Sequence, residues 1–294
     1  FGSDVATFTY HRSFSHSLFV LALVMPAVVW LIRRVHPSEE TRRGWYALVY
    51  LCFATHVLLD ALTIYGTQIF WPLSTTPVSI GSVFIIDPLY TVPLLVGVGL
   101  ALALRRSSPV GHRANAIALT LSTAYLAWGL AAKFWVQHLA AEALDRQGLA
   151  SSQHLALAGP FTTLLWRVVS MHDGGYRVGW YSLIAGGERI AFTDYPSEEA
   201  LLDGLDDHWP VARLRWFTHG FYGVNAVGND VVLSDLRMGV EGSYVFRFVV
   251  AERGETHSRP LPGRLVSEQP DLGRIGEVWE LLLDANGPAN RPAP

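Results

Sequence analysis

Four stretches of the chain are almost continuously apolar, and polar or charged residues bound each of them. They cover residues 18–32, 45–62, 89–104 and 114–136. As α-helices rising 1.5 Å per residue they would be roughly 22 to 35 Å long, which approaches or spans the hydrocarbon core of a bilayer. The first, third and fourth stretches lack a polar face, which argues against a helical bundle inside a soluble protein. The pattern therefore predicts four transmembrane helices.

Beyond Gly159 and Pro160 the apolar residues alternate with polar ones instead of following a helical period. This alternation, broken by Gly- and Asp-rich turns, predicts strands over 164–184, 189–193, 213–225, 230–236 and 244–251. Covering helices are expected at 197–208 and 275–285. The predicted fold class is α+β, a transmembrane helical bundle followed by an extramembrane, mainly β domain. Its segments would be a helical domain at 1–137, an amphipathic connector at 138–160, an α+β domain at 161–286 that includes an extended loop at 257–271, and a disordered tail at 287–294.

Arginines distinguish the connections between the apolar stretches. The connection between the first two carries Arg33, Arg34, Arg42 and Arg43, and the connection between the last two carries Arg105, Arg106 and Arg113. By contrast, residues 61–87 include no Lys or Arg. Because cytoplasmic loops are enriched in Lys and Arg, we expect both arginine-bearing connections in the cytoplasm and 61–87 outside. The C-terminal domain would then lie on the external, periplasmic side.

Composition narrows the functional classes. Half of the 294 residues (50%) are hydrophobic, and the net charge is -3 with scattered Lys and Arg, so nothing favours nucleic-acid binding. The single cysteine, Cys52, excludes an internal disulfide and a thiolate metal cluster. The first residue is Phe and no signal segment precedes the first histidines, so we expect earlier residues to be missing from this sequence.

His56 and Asp60 stand four residues apart in the second apolar stretch. On a helix this spacing turns the two side chains by only about 40°, so both can face one metal ion. A carboxylate in an apolar span costs a few kcal/mol unless a cation or a hydrogen-bonding partner compensates it. Asp87, just before Pro88, is also bracketed by apolar residues, although an N-cap role alone would account for an acid there.

His11, Arg12 and His16 come immediately before the first apolar stretch. The two histidines would be about 140° apart on an ideal helix, so they share a site only if His11 lies on a preceding turn. Each alone could equally be an interfacial hydrogen-bonding residue. Imidazole and carboxylate without thiolate suit a divalent metal, Zn²⁺ first, with Mn²⁺ or Fe as alternatives. Arg12 could neutralise a phosphate by bidentate hydrogen bonds.

Several stretches resemble one known family. They are Phe8-Thr-Tyr-His-Arg-Ser-Phe-Ser-His-Ser-Leu18, Thr55-His-Val-Leu-Leu-Asp60, Trp71-Pro72 and Phe84-Ile-Ile-Asp-Pro-Leu-Tyr90, with further likeness at 164–167, 216–222 and 234–239. These residues resemble the YdjM-type inner-membrane family of metal-dependent hydrolases, which is in turn similar to the zinc-dependent phospholipase C and P1 nuclease class. The resemblance implies a multi-pass protein of the bacterial inner membrane, with metal ligands at His11, His16, His56 and Asp60 and a contribution from Asp87. Family members carry a Pro-Asp-x-Asp stretch at the end of an earlier apolar helix, shortly before the His-Arg motif. This sequence begins too late to show it, and Asp4 does not fit the pattern, so the resemblance implies at least one further span upstream.

Together these features predict a membrane-embedded hydrolase that cleaves a phosphoester of a lipid or lipid-linked substrate with metal-activated water. His56, Asp60 and Arg12 would be its catalytic residues, and Arg12 and His219 would contact the substrate. The alternative for His219 is an ordinary polar residue of the sheet. Two other classes stay open. One is a transport or ion-binding protein that uses the same polar residues as a pathway, and the other is a structural or partner-binding protein whose His/Asp cluster holds helices together.

Overall fold

The computed structural model describes residues 2–36, 41–104, 108–149, 153–186, 190–255, 257–266, 276 and 279–283. The α-helices in these ranges are α1 (Asp4–Tyr10), α2 (Leu18–Val35), α3 (Arg42–Leu62), α4 (Pro88–Ala103), α5 (Pro109–Arg146) and α6 (Trp209–Phe217). Two short 3-10 turns cover Phe14–His16 and Glu199–Leu202.

The strands all come after the apolar helices. They are β1 (His154–Ala158), β2 (Leu165–His172), β3 (Gly175–Ser182), β4 (Phe192–Pro196), β5 (Tyr222–Val227), β6 (Asp230–Asp235), β7 (Gly239–Val240), β8 (Ser243–Tyr244), β9 (Arg247–Glu252) and β10 (Arg259–Leu265). One antiparallel sheet has the order β1-β2-β3-β4, a second has the order β10-β9-β6-β5, and β7 pairs with β8. The prediction of apolar helices followed by a β-rich region is therefore confirmed.

The chain divides into two compact units, each assembled from separate parts of the sequence. The first unit consists of Phe1–Ile80, Ala200–Met238 and Phe246–Ser267, and the second consists of Gly81–Glu199, Gly239–Val245 and Glu268–Pro294. The domain ranges predicted from the sequence are continuous stretches of the chain, unlike these two units, and they stay a prediction.

The core of the first unit joins the start of the chain to its C-terminal half. Ser3 caps α1 by accepting a hydrogen bond from Ala6, and Val5 and Phe8 are three residues apart on one buried face of this short helix. The Phe8 ring lies 4.8 Å from the ring of Phe217 in α6 and 4.3 Å from that of Phe246. Helix α1 therefore packs into the same apolar core as the sheet β10-β9-β6-β5.

Helices α2 and α3 of the first unit pair with each other and present an apolar outer surface. Ser17 caps α2 through bonds from the amides of Phe19 and Val20, and Thr41 caps α3. Exposed side chains on these helices include Leu23, Trp30, Leu31, Leu48, Leu51 and Leu58. An apolar exterior of this kind is what a lipid-facing helix requires.

In the part of the chain that the structure describes, three helices are long and apolar enough to cross a membrane: α2, α3 and α5. The prediction of four membrane-length helices is thus corrected to three. Helix α4 is apolar but has only 16 residues, so its length is about 24 Å against a hydrocarbon core of about 30 Å. Pro88 starts α4, and the helix ends at Ala103, before the arginines that follow.

In the second unit, α5 is the long element on which the first sheet rests. The Gln137 side chain donates to the carbonyl of His154 at 3.0 Å and accepts from the amide of Ala156 at 2.8 Å, so it continues the hydrogen bonding of edge strand β1. Lys133, one turn earlier, donates to the carbonyl of Ala156. Buried alanines on the same face of α5 allow this close approach.

Several sequence-based element assignments are corrected. The stretch 213–225 was expected to be one strand, but its first part belongs to α6 and only β5 is a strand, because Val211, Leu214 and Phe217 are buried at helical spacing. The stretch 197–208 forms only the 3-10 turn Glu199–Leu202, and the expected loop at 257–271 includes β10. The expected strand at 164–184 is the hairpin β2-β3. The tail 287–294 and residues 275, 277, 278, 284 and 285 of the helix expected at 275–285 lie outside the described residues.

Candidate metal centre

Two elements of the first unit bring the candidate ligands together. His16 ends the 3-10 turn that precedes α2, and His56 and Asp60 lie on the last turns of α3. The connection after α3 fixes the turn: the backbone N–H of Gln68 donates to the Arg12 carbonyl at 2.9 Å, and its side-chain oxygen accepts from the Ser13 hydroxyl at 2.6 Å. The turn is thereby held against the end of α3.

His16, His56 and Asp60 form a compact group of potential ligands. The Nε2 atom of His16 lies 3.5 Å from Asp60 Oδ2, and the Nε2 atom of His56 lies 3.6 Å from the same oxygen. The three ligand atoms all lie within 4.8 Å of one another. Two imidazole nitrogens and one carboxylate oxygen are a donor set that suits Zn²⁺ or a related divalent ion, and three protein ligands leave coordination positions open. The residues therefore fit a catalytic type of metal site.

The three side chains differ in exposure. Asp60 and His16 are 13% and 19% exposed, whereas His56 is 62% exposed. Burial lowers the pKa of His16, and the Asp60 carboxylate only partly opposes that effect. A lowered pKa favours the neutral imidazole, which is the form that binds metals.

Arg12 is the fourth polar residue at this centre. Its Nη2 lies 3.3 Å from Asp60 Oδ1, and its Nη1 donates to the Thr63 hydroxyl at 3.0 Å. The guanidinium carbon also lies 4.8 Å from the centroid of the Tyr65 ring, a cation–π contact. Arg12 thus supplies the positive charge that compensates the Asp60 carboxylate in an apolar helix.

Sequence reasoning missed Thr63 and Tyr65. Thr63 is the C-cap of α3 and its hydroxyl donates to the Asp60 carbonyl at 2.7 Å, while the Tyr65 hydroxyl donates to the Phe8 carbonyl at 2.7 Å. Their proximity to Asp60 in sequence was the only available signal. The contact of Thr63 with Arg12 and that of Tyr65 with Phe8 in α1 each join residues more than fifty positions apart in the chain.

His11 and Asp87 do not join the group formed by His16, His56 and Asp60. His11 is exposed at the C-terminal end of α1, and its ring centroid lies 6.4 Å from that of His16. Asp87 belongs to the second unit, where it caps α4 by accepting from the Leu89 amide at 3.0 Å and from the Tyr125 hydroxyl at 2.8 Å. Both oxygens of Asp87 therefore have protein partners.

His219, the candidate substrate contact, adjoins a buried ion pair in the first unit. Its Nε2 lies 3.0 Å from the Pro77 carbonyl, and burial together with the charge of Arg237 lowers its pKa. Asp235 accepts from Arg237 through both carboxylate oxygens, at 2.9 and 2.7 Å, and both side chains are buried. These contacts give His219 and the pair a structural role between the sheet and the loop after α3.

Comparison with known proteins places a family resemblance on part of the chain. The model of the YdjM inner membrane protein family matches residues 1–136, fewer than half of the 294. No curated protein and no solved structure matches the chain. The similarity to the zinc-dependent phospholipase C and P1 nuclease class is not supported, and the likeness noted at 164–167, 216–222 and 234–239 lies beyond the matched residues. The part of the chain that carries His16, His56 and Asp60 is thus similar to the YdjM inner membrane protein family.

Proposed function

We propose that this protein is a membrane-embedded, divalent-metal-dependent hydrolase that cleaves a phosphoester of a lipid or lipid-linked substrate. The observation that carries the proposal is the convergence of His16, His56 and Asp60 within ligand distance beside Arg12. The inner-membrane family similarity and the apolar helices α2 and α3 agree with a membrane location.

In the proposed mechanism His16, His56 and Asp60 would hold the metal. When bound, such an ion would polarise a phosphoryl oxygen and make a water molecule acidic enough to attack near neutral pH. The role of Arg12 is electrostatic: its planar guanidinium can hold two phosphate oxygens at once and stabilise the charge that develops on them. Tyr65 and Thr63 orient that guanidinium from two sides.

The proposed orientation puts the metal centre on the periplasmic side. Residues 61–87, which directly follow the centre, have no Lys or Arg, and the arginine-bearing connections lie at the opposite ends of the apolar stretches. Because α1 and the sheet β10-β9-β6-β5 share one core, that sheet lies on the same side of the membrane as α1. The C-terminal sheet of the first unit is therefore proposed to be periplasmic as well.

One observation favours a second candidate, a purely structural cluster. Arg12 already neutralises Asp60 at 3.3 Å, and His16 and His56 contact the same carboxylate. A paired carboxylate is far less costly inside an apolar helix than an unpaired one, so the group could serve to hold α3 against the turn before α2. Metal binding distinguishes the two candidates.

The test uses the whole chain purified in nanodiscs, loaded with Zn²⁺ or Mn²⁺ and then desalted. Bound metal and hydrolysis of bis(p-nitrophenyl) phosphate and of phospholipid are measured for the wild type, His56→Ala and the control His138→Ala, which changes an exposed histidine of α5. We expect His56→Ala to lose both bound metal and activity, and His138→Ala to keep both. Absence of bound metal in the wild type would favour the structural alternative, and retention of metal in His56→Ala would rule out the proposed three-ligand site.

A further inference from the structure

A cluster of exposed apolar side chains lies beside the candidate metal centre. Phe14, Phe70 and Leu73 are 60%, 47% and 79% exposed, and Trp71 lies between the last two in sequence. We refer to these four residues as the apolar platform. Full exposure of such side chains to water is unfavourable by about 25 cal/mol per Å² of apolar surface, so a contiguous group of them marks a surface that contacts something else.

The platform is held rigidly at the beginning of α2. The Leu18 amide donates to the Ile69 carbonyl at 3.1 Å, and the Ser17 hydroxyl donates to the Trp71 carbonyl. The rings of Phe14 and Trp71 meet edge to face at 6.2 Å. The platform therefore has a fixed position along the axis of α2, next to the first turn of this helix.

Below the platform, the apolar surface continues along α2. Phe19, in the first turn of this helix, and Leu23, one turn later, are both exposed. The sequence from 13 to 32 and from 61 to 86 includes no Asp, Glu, Lys or Arg. Aromatic residues next to the end of an uncharged apolar helix are typical of the boundary between lipid headgroups and acyl chains.

We propose that the apolar platform lies in the headgroup–acyl boundary of the bilayer that α2 enters. Phe14 is two residues from His16, so the metal centre then lies at headgroup depth. This depth, together with the proposed hydrolase function on which the inference rests, defines the substrate class. The substrate is an amphiphile that stays in the leaflet, with its phosphoester at headgroup height and its hydrocarbon part in the membrane. Such a substrate reaches the centre by lateral diffusion past the platform.

The membrane is preferred over a protein occupant because residues 13–32 and 61–86, which carry the platform, include no Asp, Glu, Lys or Arg, and because the platform directly precedes a membrane-length helix. Protein interfaces of comparable apolarity carry a polar rim that includes charged residues. A second copy of the chain on the same surface is an outcome that the following experiment detects.

The first test measures depth without using activity. A nitroxide is attached at Leu73→Cys in a Cys52→Ser background and, as the control, at Asp206→Cys, an exposed position of the first unit. In vesicles of phosphatidylethanolamine and phosphatidylglycerol, the label at 73 should collide more with oxygen than with a water-soluble nickel complex, and the label at 206 should show the reverse. A label at 73 that behaves like the one at 206, or that is shielded from both reagents by protein, would overturn the proposal.

The second test concerns the substrate. Leu73→Asp should lower kcat/KM on phospholipid in vesicles about tenfold or more and leave kcat/KM on water-soluble bis(p-nitrophenyl) phosphate unchanged, because only the bilayer substrate needs the platform. An equal fall for both substrates, or none for phospholipid, would refute lateral access. If the wild type hydrolyses neither substrate, the hydrolase function fails, whereas the nitroxide depth still decides where the platform lies.

Discussion

Replacing Arg12 with Gln should produce two opposite effects: tighter divalent-metal binding and slower phosphoester hydrolysis. The guanidinium of Arg12 occupies one oxygen of Asp60, so a metal ion that takes Asp60 as a ligand has to displace or tolerate it. Removing this positive charge makes the carboxylate more available. The same change removes the group that is proposed to hold the phosphate.

The size of the first effect follows from the contact. Two unit charges 3.3 Å apart interact by roughly 5 kcal/mol at an effective dielectric constant of about 20, before any cost of desolvation is subtracted. Net contributions of hydrogen bonds to charged groups are about 1.5 to 3 kcal/mol. Since 1.36 kcal/mol corresponds to a factor of ten, we expect metal affinity to rise roughly ten- to hundredfold.

The assay is a competition between the protein in nanodiscs and a chromophoric chelator for Zn²⁺, followed by turnover of bis(p-nitrophenyl) phosphate at saturating metal. Arg43→Gln, an exposed position in the first turn of α3, removes the same charge away from the centre and serves as the control. It should change neither quantity beyond about twofold, because surface charges of this kind are well screened.

Two results would refute the reasoning. A fall in metal affinity in Arg12→Gln would mean that Arg12 positions Asp60 for the metal instead of competing with it. Unchanged turnover at saturating metal would mean that the guanidinium does not contact the phosphate.

Three further predictions concern stability and the role of Asp87. Asp235→Ala leaves a buried guanidinium without its carboxylate and should cost about 3 to 5 kcal/mol, seen as a large fall in the melting temperature in detergent, whereas Asp230→Ala, in an exposed pair, should cost under about 1 kcal/mol. Burial raises the pKa of Asp87, and Asn is as good an N-cap as Asp, so Asp87→Asn should keep both melting temperature and bound metal; loss of metal would make Asp87 a ligand. Gly97→Ala would place its Cβ 2.4 Å from a methyl group of α5 and should cost about 1 to 3 kcal/mol, while Gly99→Ala meets nothing and should be neutral or slightly stabilising; equal effects would contradict this packing.

The sequence predicted those features that depend on local spacing. His56 and Asp60 share one face of α3 because they are four apart on a continuous apolar helix, and that part of the interpretation needs no tertiary contact. The starts and ends of α2 and α3 similarly follow from a short-range change between apolar and polar residues. The arginine pattern of the connections, a rule about the membrane, assigned only the side on which residues 61–87 lie, and the contact between Arg12 and Asp60 was not predicted.

Features that depend on long-range packing could not be predicted. Tyr65 is an aromatic residue in a loop. Its cation–π contact with Arg12 and its hydrogen bond to Phe8 of α1 form only when distant parts of the chain pack together. The alternating stretch around Arg213 was assigned as a strand because a period of two and a helical period coincide over a few residues. Which period applies is decided by the core that the segment joins, here the one around Phe8.

The shared core of α1 and the sheet β10-β9-β6-β5 limits how many times the chain that connects them crosses the bilayer. A polypeptide that leaves one face of a bilayer and returns to that face has traversed it an even number of times. Among the described residues three helices are long enough to traverse, and three is odd. Either α4 also traverses, with the lipid thinned around its 16 residues, or one of the three long helices stays on a single face. An odd count would put Phe8 and its aromatic neighbours on opposite faces of the bilayer.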